Sequence, residues 1–271
     1  MNTPTHVVRR VDVDDRAIAY VEAGDGYPVL LVHGNFASKR WYRALLEAPP
    51  AGLRLVAIDL PNFGDSDPLG ASITMAAYAD AVRATARALE LHAPVLVGHS
   101  LGGNVVMRAV GDDPRAVAGL LLVDSGAPDG LATPEAHYPL LEAFKGNAAL
   151  IAQALAPMMP TRTPSDMDGL VADALRMHPD AFTGNARALE GLDLAPSLAA
   201  FTGPVRVLRG GQDVLIDADM AARTLAAFSG SRDAELLTWD DVGHSPIVEA
   251  PERFGALLAS LVARVREAPT A

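Results

Sequence analysis

Short apolar runs alternate with segments of helical spacing through most of this chain, and that alternation restricts its fold more than any other feature. VVRRVDV and RAIAYVEAG read as strands, followed by PVLLVHG, LRLVAIDL, PVLVGH, VAGLLLVD, PVRVLRG and AELLTW. PVLLV is continuous rather than alternating, as in a strand covered on both faces. The intervening segments WYRALLEA, MAAYADAVRATARALEL, LGGNVVMRAVG and DADMAARTLAAF read as helices, and PERFGALLASLVARVR closes the chain as another. Such an order predicts an α/β fold with a mainly parallel sheet, helices on both faces, and an antiparallel strand at one edge from the early hairpin.

The alternation lapses over residues 131–196. No strand pattern occurs there, seven prolines punctuate it, and YPLLEAF, NAALIAQALAPMM, MDGLVADALRMH and AFTGNARALEGL have helical character. A structureless loop of that length does not suit a compact domain. The expected organisation is a core over 1–130, a helical lid over 131–196, and the rest of the core over 197–271. The lid would cover the carboxyl ends of the strands, where open α/β sheets bind ligands.

Composition narrows the function. A net charge of −11 argues against a nucleic-acid surface, and against anionic membranes and substrates. The absence of cysteine removes disulfides, thiolate nucleophiles and cysteine-based metal sites. The first fifteen residues hold no apolar h-region, and runs such as VAGLLLV are too short to cross a bilayer. The expectation is a soluble, cytoplasmic protein.

Chemistry concentrates at GHSLGG, residues 98–103, where the strand pattern PVLV turns into the helix pattern NVVMRAV. A serine on a sharp strand-to-helix turn is held out as a nucleophile, with glycines where a Cβ would clash. Ser100 is that serine, and the Leu101 amide, at the start of the helix, is free for an oxyanion. A serine hydroxyl needs a base. Of His6, His33, His92, His99, His137, His178 and His244, His244 lies in a loop between the last strand and the last helix and is the best candidate. The acid that fixes the tautomer of this base is Asp213 or Asp124, both at strand ends, with Asp213 preferred. After PVLLV, the turn HGNFAS supplies the second oxyanion amide, from Asn35 or, one register on, from Phe36.

Together, LLVHGNFAS, DLPNFGDSD, VGHSLGG, LRGGQDVLID and VGHSPIVEAPERF resemble the α/β-hydrolase superfamily over nearly the whole chain, in the family's order. The resemblance implies the α/β-hydrolase fold: a mostly parallel eight-stranded sheet with a helical cap between strands six and seven. It carries over Ser100, Asp213 and His244 as the triad, with Asn35 and Leu101 as oxyanion donors. Asp59, Pro61, Gly64 and Ser66 match a structural turn of the family, and Asn62 stands where the family commonly has glycine, which suits a left-handed turn. HGN also resembles haloalkane dehalogenases, but those enzymes and epoxide hydrolases use an aspartate nucleophile where this chain has serine.

The resulting expectation is a serine hydrolase of small, neutral, apolar carboxylic esters, lactones included, working through an acyl-enzyme without metal or organic cofactor. Phe36, Leu140, Phe144, Leu155, Met158 and Met159 are the candidate substrate-facing residues, drawn with Leu141, Leu150 and Ile151 from the apolar set. The alternatives are a carbon–carbon bond hydrolase, a haloperoxidase-like esterase, and a non-catalytic small-molecule receptor using the same pocket.

Overall fold

The computed structural model describes residues 7–70 and 72–267. Its strands are β1 (Arg9–Val13), β2 (Arg16–Ala23), β3 (Tyr27–Val32), β4 (Leu53–Ile58), β5 (Val95–His99), β6 (Gly119–Val123), β7 (Val205–Gly210) and β8 (Ala234–Trp239). They form one sheet in the order β1-β2-β4-β3-β5-β6-β7-β8. β2 pairs antiparallel with β1 and with β4, and every other pairing is parallel. This is the α/β-hydrolase fold.

The helices are α1 (Arg43–Glu47), α2 (Met75–Ala88), α3 (Leu101–Asp112), α4 (Tyr138–Ala143), α5 (Ala148–Leu155), α6 (Met167–Leu175), α7 (Ala181–Leu189), α8 (Ala195–Leu198), α9 (Ala218–Ala227), α10 (Pro246–Glu249) and α11 (Pro251–Glu267). α2 begins where Thr74 accepts from the Ala77 N–H, and α9 where Asp217 accepts from Met220. The sequence pattern extends α2 to Leu91, but Glu90 takes a left-handed φ of 53° and the helix ends at Ala88. The one-turn α10, absent from the sequence reading, starts on Pro246 directly after the His244 loop.

The continuous apolar strands are explained by two cores. Leu30, Val32, Leu120 and Leu122 pack with α2 and α3 on one face. Val29, Leu31, Leu121 and Val123 pack with α1 and α11 on the other. Adjacent residues of one strand thus enter opposite cores, and no position along its centre is left for a polar side chain.

Helices α4 to α8 lie between β6 and β7 and make up nearly all the regular structure of that stretch. Their apolar side chains Phe144, Ile151, Leu155, Leu170 and Phe182 join the α2–α3 core. Polar contacts also fasten them. Asp173 accepts from Ser38 Oγ (2.6 Å) and Arg40 Nε (2.9 Å), and Asp166 pairs with Arg40 (2.9 Å) and Arg43 (3.1 Å).

Candidate active site

Five loops meet at the carboxyl edge of the sheet, after β3, β5, β6, β7 and β8. Ser100 links β5 to α3 with φ 52° and ψ −124°, a conformation that side chains seldom adopt. Contacts on all sides enforce it. A Cβ on Gly98 would lie 2.5 Å from the Gly102 oxygen, and one on Gly102 would lie 2.4 Å from the His33 oxygen. The Ser100 N–H donates to the Val123 oxygen at 2.9 Å, which ties the turn to β6. The strain at one residue is offset by burial of the rest of the turn.

The β3 turn lies against this serine. An added Cβ on Gly34 would come within 2.9 Å of Ser100 Cβ, so only glycine permits the approach. His33 holds the turn from behind: its Nδ1–H donates to the Gly34 oxygen (2.8 Å) and its Nε2 accepts from the Leu60 N–H (3.0 Å). Burial pushes the His33 pKa down, so the ring stays neutral. Among the described residues, the N–H groups of Leu101, Asn35 and Phe36 donate to no backbone oxygen outside regular helices and strands. Phe36 has a left-handed φ of 56°, which turns the chain sharply just after Asn35.

His244 is buried, and its Nδ1–H donates to Asp213 Oδ2 at 2.7 Å, with both side chains shielded from solvent. That bond leaves Nε2 as the unprotonated nitrogen. Asp213 Oδ1 accepts from the N–H groups of Leu215 (2.7 Å) and Ile216 (3.2 Å). Burial works to raise the Asp213 pKa, but the His244 hydrogen bond and these donors outweigh it and hold the group below the usual carboxylate range. His99, beside the elbow, donates Nε2–H to the His244 oxygen at 2.8 Å and stacks on Trp41. Burial, reinforced by His244, pushes its pKa down to about 3.

Asp124 follows β6 and is buried with φ 43°. Its Oδ1 accepts from the Gly210 N–H at 2.8 Å. Donor atoms of Asp124, Asp213 and His244 lie within 4.8 Å of one another, compact enough for a cation, yet Asp213 and His244 already spend theirs on each other and on backbone N–H groups. The other histidines sit elsewhere: His92 and His137 are exposed, His178 faces Asp180, and His6 lies outside the described residues.

Two residues escaped the sequence reading. Glu249 accepts from the N–H groups of Gly243 (2.9 Å) and Ser245 (3.2 Å), the two neighbours of His244, and from Thr161 of the helical insertion (2.6 Å). Asn185 of α7 donates to Asn35 Oδ1 (2.8 Å) and accepts from Tyr78 (2.7 Å), which in turn accepts from Asn62 (3.0 Å). Asn62 has φ 72°, the left-handed turn expected of it. Of the apolar candidates, Phe36 packs edge-on against Phe144 (5.3 Å) and Phe182 (5.7 Å). Leu155 and Met159 lie buried in the same cluster, whereas Leu140 is half exposed and outside it.

Residues 29–257 match the model of the alpha/beta hydrolase family. The chain belongs to that family. Among curated relatives, the pimeloyl-[acyl-carrier protein] methyl ester esterase of Neisseria meningitidis (serogroup B / serotype 15) is 31% identical over 86% of this chain and 92% of its own. A 2-hydroxy-6-oxononadienedioate/2-hydroxy-6-oxononatrienedioate hydrolase of a Pseudomonas species is 26% identical over 90% of each chain. Among solved structures, the esterase of Exiguobacterium antarcticum superposes with a TM-score of 0.81 at 20% identity, over 95% of this chain and all of its own.

Proposed function

We propose that this protein is a serine hydrolase of small, neutral carboxylic esters, lactones included. The observation that carries the reading is Ser100, held with a strained backbone at the start of α3, with the His244–Asp213 pair bonded at 2.7 Å on the same sheet edge. His244 Nε2 takes the proton from Ser100 Oγ as the oxygen attacks the substrate carbonyl. The N–H groups of Leu101 and Asn35 hold the resulting oxyanion, and α3 adds the positive end of its dipole. The carbon–oxygen bond to the alcohol breaks as His244 returns the proton to it. Water then attacks the acyl-enzyme, its proton passing to His244 and on to Ser100 as the acid leaves. Asp213 keeps Nδ1 protonated throughout and stabilises the imidazolium.

The substrate preference rests on charge. The stretch 131–196, read as a cap over the site, has eight Asp and Glu against four Lys and Arg. Three of those cations are committed to carboxylates: Lys145 to Glu142, Arg176 to Asp65 and Asp173, and Arg187 to Glu135 and Glu190. Only Arg162, which is exposed, is left, too little to form a cluster that clamps a carboxylate or an acidic carrier protein, whereas Phe36, Phe144 and Phe182 offer an apolar wall. The carbon–carbon hydrolase named among the relatives keeps a second reading in view, since the same triad can serve that reaction.

A fluorophosphonate probe followed by peptide mapping tests the nucleophile, and a panel of p-nitrophenyl esters and lactones tests the class. The reading expects the adduct on Ser100 and turnover of neutral esters. Faster cleavage of an anionic dienoate than of any matched neutral ester would put the second reading first.

A further inference from the structure

Asp124 presents a problem that its surroundings leave almost one way to solve. The side chain is buried, Oδ1 is satisfied by the Gly210 N–H, and Oδ2 has no hydrogen-bond partner although no solvent reaches it. A carboxylate with a bare oxygen in such a site carries a heavy desolvation cost. The group facing it is a second carboxyl, Asp213, whose charge is fixed by His244 and two backbone N–H groups. Two carboxylates this close do not both ionise without a cation between them. Arg209, the nearby cation, turns its Nε to the Ile216 oxygen (2.9 Å) instead. Asp213 has three N–H donors and Asp124 one, so the negative charge belongs on Asp213 and the proton on Asp124.

We propose that Asp124 is a neutral carboxylic acid whose O–H donates to Asp213 and fixes the carboxylate that orients His244. The inference rests on the triad reading above. Asp124 touches neither substrate nor reacting atoms, so it is a positioning residue. Burial, the Asp213 charge and the hydrogen bond to Asp213 all raise the Asp124 pKa well above the carboxylate range, in keeping with this assignment. An uncharged donor gives Asp213 a rigid anchor without adding a second negative charge beside the imidazole.

Two substitutions separate the possibilities. Asp124→Asn keeps the shape, donates through Nδ2 to Asp213 and accepts from Gly210, and Asn tolerates a positive φ. It should hold kcat/KM within about threefold of wild type, with the acid limb of the pH profile unmoved. Asp124→Leu fills the space but donates nothing. It should lower kcat/KM by about tenfold to a hundredfold and move the acid limb to higher pH, because a less solvated Asp213 holds the imidazolium more tightly.

If Asp124 were ionised, Asp124→Asn would remove a negative charge near His244 and move the limb to lower pH, overturning the proposal. A merely structural Asp124 would cost stability in the Leu variant while leaving the limb in place, which also overturns it. Loss of activity in Asp124→Asn with full activity in Asp213→Asn would transfer the acid role to Asp124 and overturn both readings. A second readout needs no turnover. In protein labelled with 13C at the aspartate carboxyls, the resonance that vanishes in Asp124→Asn should sit at a carboxylic-acid shift at pH 7. A carboxylate shift there contradicts the proposal even if the Leu variant fails to fold or no substrate is found.

Discussion

His99 and His244 are joined by a hydrogen bond of 2.8 Å from the His99 ring to the His244 carbonyl oxygen, and the two rings lie 5.0 Å apart. The residue before Ser100 thus holds the loop that carries His244. The ring is neutral and buried, and protonating it would place a charge in that buried site, which makes the fold sensitive to acid.

The sign of that sensitivity follows from the depressed His99 pKa, about 3 in the folded protein against 6.5 for the free side chain. Below pH 6.5 the unfolded chain takes up a proton that the folded one refuses, so the stabilisation is complete above pH 6.5 and is lost as pH falls towards 3. At pH 5 the loss from this residue is about 2 kcal/mol. Asp124 acts in the opposite sense, because its raised pKa lets the folded state hold the extra proton. Comparison with His99→Gln isolates the histidine. Relative to wild type, the variant should gain about 2 kcal/mol in denaturant unfolding between pH 8 and pH 5. A constant difference over that range would mean that His99 titrates alike in the folded and unfolded chain, without the depression that burial should cause.

Asp213→Asn should lower kcat by about 10³- to 10⁴-fold while the protein still folds, because an amide no longer holds His244 in the tautomer with Nε2 free. Steady-state kinetics beside a circular dichroism spectrum check this. Retained activity would remove Asp213 from the mechanism.

Glu249→Ala should act on both stability and turnover. The substitution strips the acceptor from the N–H groups on either side of His244 and from Thr161, leaving buried donors unsatisfied at a cost of about 1–3 kcal/mol. A fall in Tm together with a lower kcat is the expected pair. An unchanged kcat at a lowered Tm would show that the loop holds its shape without this carboxylate.

Asn185→Leu severs the bond from α7 to Asn35 and leaves Tyr78 without its acceptor. If the helical insertion orders the oxyanion turn through Asn35, kcat should drop by about tenfold with little change in KM. A rise in KM alone would mean that Asn185 contacts the substrate instead.

The sheet was legible because buried parallel strands leave a mark in continuous runs such as PVLLV. The Ser100 turn was legible because close backbone approach admits only glycine at 98 and 102. Position pointed to His244 and to Asp213 or Asp124, since each follows a strand at the same edge, but did not by itself separate the two aspartates. The polar contacts that support them leave no such trace. Glu249 and Thr161 lie 88 residues apart, and Asn185 and Asn35 lie 150 apart. Such pairs depend on how the insertion seats on the core, which no local spacing encodes. The protonation of Asp124 is hidden for the same reason, because it arises from burial against Asp213 and not from any motif.

The central claim is that Ser100 is the nucleophile, and the most direct test is kcat/KM for a p-nitrophenyl butyrate-type ester in wild type and in Ser100→Ala, assayed side by side on protein shown to be folded. The account predicts a loss of about 10³-fold or more, since only binding and the oxyanion N–H groups remain. An alanine variant that hydrolyses the ester at the wild-type rate would contradict it.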